Sequence, residues 1–185
     1  MQTPTLTIGN TAIELILGDI TRLEVDAVVN AANTELAGGG GVDGAIHRAA
    51  GPALADECRK IVAERGNLPT GEAVATSGGQ MPARYVIHTV GPVYFLGPHK
   101  AEPLLRSAYR SSLAVAEQLA AESVAFPAIS TGVYGYPMDK AAFVALRAVV
   151  DYLREHPQTL LRRIVFALHD PVAFALHRKA LEMLS

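Results

Sequence analysis

The side chains best suited to chemistry stand close together: Asn30 and Asn33, then Asp43 and His47, with four consecutive glycines, Gly38 to Gly41, between the two pairs. A carboxylate and an imidazole four residues apart on a helix share one face, so Asp43 and His47 form a pair of the kind used in general acid–base work. The glycine run lets backbone N–H groups approach a ligand without Cβ interference, and where such a run opens a helix the expected guest is phosphate. Asp43 in a first helical turn serves equally well as a partner of the helix dipole or as a cap, and residue type alone leaves both roles open. A second carboxylate, Asp19, lies in the loop Gly18-Asp19-Ile20-Thr21. It can cap its own turn through Thr21 or accept a hydrogen bond from a base amine. A further loop, residues 130–137, holds Ser130, Thr131, Gly132, Val133, Tyr134 and Gly135 and again runs from a strand into a helix. Two such loops can surround a diphosphate from opposite sides, although surface turn glycines would leave the same pattern.

The elements that must position these groups are legible from periodicity. Residues 25–29 form a short valine-rich run that suits a buried parallel strand, and the amides of Asn30 and Asn33 follow at its carboxyl end, where open α/β sheets place their ligand crevice. From Val42 the apolar residues Ala45, Ile46, Ala49 and Ala50 keep helical spacing. Upstream, Ile13, Leu15 and Leu17 mark a strand ending at Gly18. Residues 72–76 and 85–90 predict two strands joined by the turn Ser77-Gly78-Gly79-Gln80-Met81-Pro82. A helix is expected over 104–121 with Glu102 and Pro103 at its start, then a strand over 124–126 stopped by Pro127, a helix from near Asp139, a strand over 163–168 and a helix over 170–184. This alternation predicts one domain over residues 1–185, a three-layer α/β/α domain with a central mixed, mostly parallel sheet.

Composition narrows the function. In 185 residues, half of them hydrophobic, there is room for a single substantial core. A net charge of −2 gives no electrostatic footprint for nucleic acid, so binding to a nucleic-acid backbone is not expected. The single cysteine, Cys58, rules out an internal disulfide framework and makes a structural zinc site improbable; core packing is its expected role. The first ten residues lack a basic start and an apolar stretch, and no apolar run reaches the roughly 18 residues of a membrane span, so a cytoplasmic protein without membrane contact is expected. Gly39, Gly41 and Gly44 satisfy G-x-G-x-x-G, but Asp43 inside that fingerprint would oppose a bound pyrophosphate, which disfavours nicotinamide redox chemistry. Neither a Walker A loop nor a G-x-S-x-G elbow is present.

Several motifs in order carry a family resemblance: Gly18-Asp19-Ile20-Thr21, the run Val25-Asp26-Ala27-Val28-Val29-Asn30-Ala31-Ala32-Asn33, Gly40-Gly41-Val42-Asp43, Ile87-His88-Thr89-Val90-Gly91-Pro92, and residues 130–135. Together they make the chain resemble a macrodomain of the MacroD type, which binds and hydrolyses ADP-ribose derivatives. The resemblance assigns the adenine amine to Asp19, with the Ile20 backbone beside it. It assigns the distal ribose and diphosphate to Ala32, Asn33, the backbone of Gly39, Gly40, Gly41 and Val42, and to Asp43 and His47. Backbone amides of Ser130, Thr131, Gly132, Val133 and Gly135 would clamp the phosphates, with Tyr134 covering the distal ribose. Asn33, Asp43 and His47 are the implied catalytic residues: Asn33 orients ribose hydroxyls and Asp43 positions a water or takes its proton. The implied substrates are ADP-ribosyl esters on acidic protein side chains and O-acetyl-ADP-ribose, and the implied partners are ADP-ribose and mono-ADP-ribosylated proteins. No metal and no cofactor are required, and the chain is expected to act as a monomer. The alternative is a module that reads ADP-ribose without cleaving it. Where relatives place a Cys-Phe pair before an acidic residue, this chain has Leu168-His169-Asp170. His88, inside a strand, is expected to be a satisfied sheet histidine.

Overall fold

The computed structural model describes residues 2–185. Seven strands, β1 (Thr5–Ile8), β2 (Thr11–Leu17), β3 (Ala27–Ala31), β4 (Ala73–Ser77), β5 (Tyr85–Thr89), β6 (Ser123–Phe126) and β7 (Arg163–Leu168), make one sheet in the order β1-β2-β7-β6-β3-β5-β4. The five inner strands run parallel, while β1 and β4 are antiparallel edges. The mixed, mostly parallel sheet expected from the sequence is therefore present. All five inner strands end on one edge of the sheet, which collects every motif of the resemblance along that rim.

Helices α1 (Gly41–Ala50) and α2 (Pro52–Arg65) cover one face; α3 (Pro98–Gln118), α4 (Met138–Glu155) and α5 (Pro171–Leu184) cover the other. Each layer has its own core. Ile46, Leu54, Val28 and Val86 pack under α1 and α2, whereas Leu105, Tyr109, Leu146, Val149, Phe126 and Phe166 pack under the larger layer. Alternate residues of one strand serve opposite cores, as in Val28 and Val29, which is why the inner strands read as continuous apolar runs.

Three features depart from the sequence reading. Strand β1 was not foreseen; its alternation is short, and the Gly9-Asn10 turn that joins it to β2, with Gly9 at φ 59°, is the signal that marks it. Helix α2 was not foreseen: the helical spacing in the sequence extends as far as Ala50, where α1 ends, and after Gly51 at φ 86° Pro52 starts the second helix. Pro103 lies inside α3 instead of at its start. Its missing N–H frees only the carbonyl of His99, which is exposed at the helix's first turn and open to water, while Ala101 and Leu105 on either side keep the core contact.

Candidate functional site

The crevice forms where β3 and β6, neighbours in the sheet, send their loops apart into α1 and toward α4. The first loop is stiff. Asn33 donates from Nδ2 to the Gly38 carbonyl at 2.9 Å and accepts at Oδ1 from the Ala37 N–H at 3.0 Å, so its amide staples the turn that leads into the glycines. Buried Leu36 in that turn has φ 52°, a left-handed conformation that an L side chain holds only when its surroundings impose it. Helix α1 then begins at Gly41, and its first internal bond is Gly44 N–H to the Gly40 carbonyl. The N–H groups of Gly41, Val42 and Asp43 thus have no carbonyl within the helix, the arrangement that attracts a phosphate. Gly39, Gly40 and Gly41 are exposed at this end and Ala32 is buried beneath it, its N–H bonded to the Thr89 carbonyl at 2.9 Å. Gly44 lets the helix seat against the loop, since a Cβ there would run into the Gly39 carbonyl.

Asp43 does not point to solvent like a simple dipole partner. Its residue is 7% exposed, Asn30 donates from Nδ2 to its Oδ1 at 2.8 Å, and His47 Nε2 stands 3.4 Å from the same oxygen without being hydrogen-bonded to it. Burial raises the Asp43 pKa above the ordinary carboxylate value, a shift opposed by the Asn30 hydrogen bond and by His47. The expected pairing of Asp43 with His47 across one helical turn is therefore present. The sequence marks Asn30 as an amide at a strand end, but the resemblance gives it no role: completely buried near the carboxyl end of β3, it faces Asp43. A lone amide inside an apolar central strand is the signal that could have found it, because such a group must be partnered.

Behind Asn30, its register partner His88 on β5 places Nδ1 3.1 Å from Asn30 Nδ2 and Nε2 2.9 Å from Thr76 Oγ1. As expected, His88 is a satisfied sheet histidine; complete burial pushes its pKa down to about 3, so the ring is neutral at physiological pH. Cys58 Sγ lies 3.8 Å from His88 Nε2 in the core, with its thiol pKa raised to about 11 by burial and by nearby Asp43. It packs in the core, as expected.

The second loop is pinned at several points. Tyr136 N–H bonds the Ser130 carbonyl at 2.9 Å, Gly135 N–H the Gly132 carbonyl at 3.0 Å, Thr131 Oγ1 the Ala128 carbonyl at 2.8 Å, and Tyr94 N–H the Tyr134 carbonyl at 2.9 Å. Ser130 is held at φ 68° against Gly91, whose missing Cβ leaves room for the Ser130 side chain. Val133 is 93% exposed and Tyr134 half-buried, so this loop offers a ligand its exposed backbone and the tyrosine ring. Among the described residues, four buried side-chain polar atoms lack a hydrogen-bond partner, and three of them, Asn30 Oδ1, His47 Nε2 and Ser130 Oγ, belong to residues of this rim.

At the far end of the rim, Asp19 follows β2. It caps the short 3₁₀ turn Ile20–Arg22, accepting at Oδ1 from Thr21 N–H at 2.9 Å and from Thr21 Oγ1 at 2.7 Å, and these bonds lower its pKa. Ile20 is buried beneath it. His169 follows β7, next to β2, and is exposed; Asp170 caps α5 through Val172 N–H at 2.7 Å. Among the described residues no three His, Cys, Asp or Glu side chains cluster to hold a metal ion, and no helix is long and apolar enough to cross a membrane.

Fold and rim define an α/β domain whose glycine loops bracket a helix N-terminus, with a buried carboxylate beside it. Comparison places it. A profile of the Macro domain matches residues 29–145. Over 169 residues the chain is 50% identical to the O-acetyl-ADP-ribose deacetylase of Escherichia fergusonii, spanning 91% of this chain and 94% of that protein. A macro domain-containing protein of Caldanaerobacter subterraneus is 49% identical over 172 residues, 93% of this chain and 97% of that one. Among solved structures, the Oceanobacillus iheyensis macrodomain with ADP superposes with a TM-score of 0.93 at 39% identity, covering 99% of this chain and 96% of that chain. The Trypanosoma brucei macrodomain in complex with ADP-ribose gives 0.83 at 45% identity, covering 91% and 68%. The chain belongs to the macro domain family.

Proposed function

We propose that this macrodomain hydrolyses esters of ADP-ribose: it removes the acetyl group of O-acetyl-ADP-ribose and releases mono-ADP-ribose from glutamate and aspartate side chains. The observation that carries the reading is Asp43, a buried carboxylate of raised pKa held by Asn30 beside His47 at the N-terminus of α1. A module that only binds ADP-ribose needs no desolvated carboxylate there. Relatives of about half-identical sequence from Escherichia fergusonii and Salmonella gallinarum are named O-acetyl-ADP-ribose deacetylases, and two of the solved neighbours hold ADP or ADP-ribose.

In this reading the adenine amine donates to Asp19 and the base lies near His169. The diphosphate takes hydrogen bonds from the N–H groups of α1 and from the 130–135 loop, and Tyr134 closes over the distal ribose. Asn33 orients the ribose hydroxyls at the edge of the loop that it braces. A water between Asp43 and the ester adds through its oxygen to the acyl carbon while Asp43 takes its proton. The bond from acyl carbon to ribose oxygen then breaks, and that oxygen takes up a proton. The products are a carboxylic acid and ADP-ribose. His47 lies within reach of Asp43 and stabilises its charge. A general base in this role contributes about 10²–10⁴-fold.

The test is to incubate the purified chain with O-acetyl-ADP-ribose and, separately, with glutamate-ADP-ribosylated protein, following acetate and free ADP-ribose. Release from both substrates is expected. Tight ADP-ribose binding with both labels intact would overturn the reading in favour of a module that only binds.

A further inference from the structure

A chain of hydrogen bonds runs through the sheet beneath Asp43, and its direction is fixed at the far end. Thr76 Oγ1 on β4 donates to the Ser77 carbonyl at 3.1 Å, which leaves the hydroxyl oxygen as an acceptor toward His88 Nε2 at 2.9 Å, with Cys58 Sγ a weaker and more distant contact of that nitrogen at 3.8 Å. A neutral imidazole has one N–H, so if Nε2 donates to Thr76, Nδ1 must be the acceptor. Nδ1 then receives one hydrogen of the Asn30 amide at 3.1 Å, and the other goes to Asp43 Oδ1 at 2.8 Å. With the opposite tautomer, Nδ1–H would face Asn30 Nδ2–H. The amide would have to turn over, setting Asn30 Oδ1 against the carboxylate.

We propose that His88 is a positioning residue for Asp43: held by Thr76 in the Nε2–H form, it fixes the Asn30 amide so that an N–H always points at the carboxylate. The proposal rests on the reading of Asp43 as the group that takes the water's proton. His88, Asn30 and Thr76 are 0%, 0% and 5% exposed, so water cannot take the place of a lost partner. Loss of the Asn30 hydrogen bond disfavours the ionised carboxylate and raises the Asp43 pKa. The other groups that face Asp43 are His47 on its own helix, Cys58 on α2 and His88 itself on β5, with exposed Arg48 one turn along α1. On the 3₁₀ turn packed against α1, Asp19 and Arg22 pair with each other at 3.7 Å. None of these changes in the variants below except His88, which is neutral throughout the working range.

Three variants separate this role from plain packing. Thr76→Val removes the acceptor that selects the tautomer while keeping shape. His88→Leu removes both nitrogens. His88→Asn keeps an acceptor close to the position of Nδ1. The Asp43 carboxyl carbon is titrated by NMR in ligand-free protein, and the pH profile of kcat/KM is taken with O-acetyl-ADP-ribose. In Thr76→Val and His88→Leu the Asp43 titration should move up by about one unit. The acid limb of kcat/KM should move up with it, so that kcat/KM at a pH on that limb falls about tenfold, with ADP-ribose affinity kept. His88→Asn should restore the wild-type titration. An Asp43 titration unchanged in folded Thr76→Val overturns the proposal, and should His88→Leu fail to fold, Thr76→Val decides alone. If the titration moves while the acid limb stays, the positioning of Asp43 stands and its role as base falls.

Discussion

Asp19 and Asp43 are the same residue under opposite regimes. Asp19 is half exposed and takes two hydrogen bonds from Thr21, which hold its pKa down; Asp43 is buried and its pKa is raised despite Asn30. The first is suited to remain an anion that accepts from a base, the second to exchange a proton. Asp19→Ala should weaken ADP-ribose binding by about 1.5 kcal/mol, the low end for a charged hydrogen bond because water screens the group. Asp19→Asn, which retains the oxygen that caps Thr21, should lose less. Calorimetry on both variants checks this, and unchanged affinity in Asp19→Ala would remove Asp19 from the adenine site. At the reactive end the expected order of damage to turnover is Asp43→Ala, then Asn33→Ala, then His47→Ala, with the first loss about 10²-fold or more. Asn33 also staples its own loop through two hydrogen bonds, so its variant should lose affinity as well as rate. Single-turnover release of ADP-ribose ranks the three; full activity in Asp43→Ala would leave water activation to the substrate's own phosphates.

At the scale of elements, the site depends on how closely α1 approaches the loop it leaves. Gly44, buried in the first turn, is where the Gly39 carbonyl meets the helix. Gly44→Ala would ordinarily favour a helix by about 1 kcal/mol, since alanine is the better helix former. Here the added methyl meets backbone, which cannot swing aside as a side chain can, so overpacking of about 1–3 kcal/mol should win. The variant should unfold at lower denaturant concentration and bind ADP-ribose more weakly, because the displaced loop carries the phosphate-binding amides. A denaturation midpoint at or above wild type would show that the loop yields without cost.

Across the whole molecule, buried titratable groups set how stability follows pH. His88 has its pKa lowered to about 3 by burial, and buried His177 is shifted in the same direction. Both imidazoles take up protons more readily when unfolded, from about pH 6.5 downward. Their contribution to stability is present above that value and is lost as pH falls toward 3. Asp43 acts in the opposite sense: its raised folded pKa favours the folded state below the ordinary carboxylate value and is a liability once it ionises. The melting midpoint should therefore fall steadily from pH 6.5 to 3, less steeply in His88→Asn. Asp43→Asn should melt above wild type at pH 7, with the gap closing in acid. Calorimetric scans across that range test both signs, and a midpoint in Asp43→Asn below wild type at pH 7 would contradict the cost assigned to the buried charge.

Local regularities were enough for the sequence to determine the layered α/β architecture and the placing of both loops. Strand alternation, helical spacing and turn glycines are short-range, and each reports on the neighbours of its own residue. The family resemblance rested on the same kind of signal, contiguous motifs in order. What those signals could not carry was pairing across the sheet. Asn30 and Asn33 both looked like amides beyond a strand's end, and the resemblance chose Asn33; only the β3–β5 register set Asn30 against His88 and aimed it at Asp43, while Asn33 turned back on its own loop. Strand β1 escaped for the related reason that a four-residue strand holds too few periods to read, and α2 because only Leu54 and Cys58 of it are buried. Whether a polar side chain braces a loop, satisfies the core or faces a ligand depends on which distant groups remain to be hydrogen-bonded once the chain has packed, and tertiary structure alone decides that.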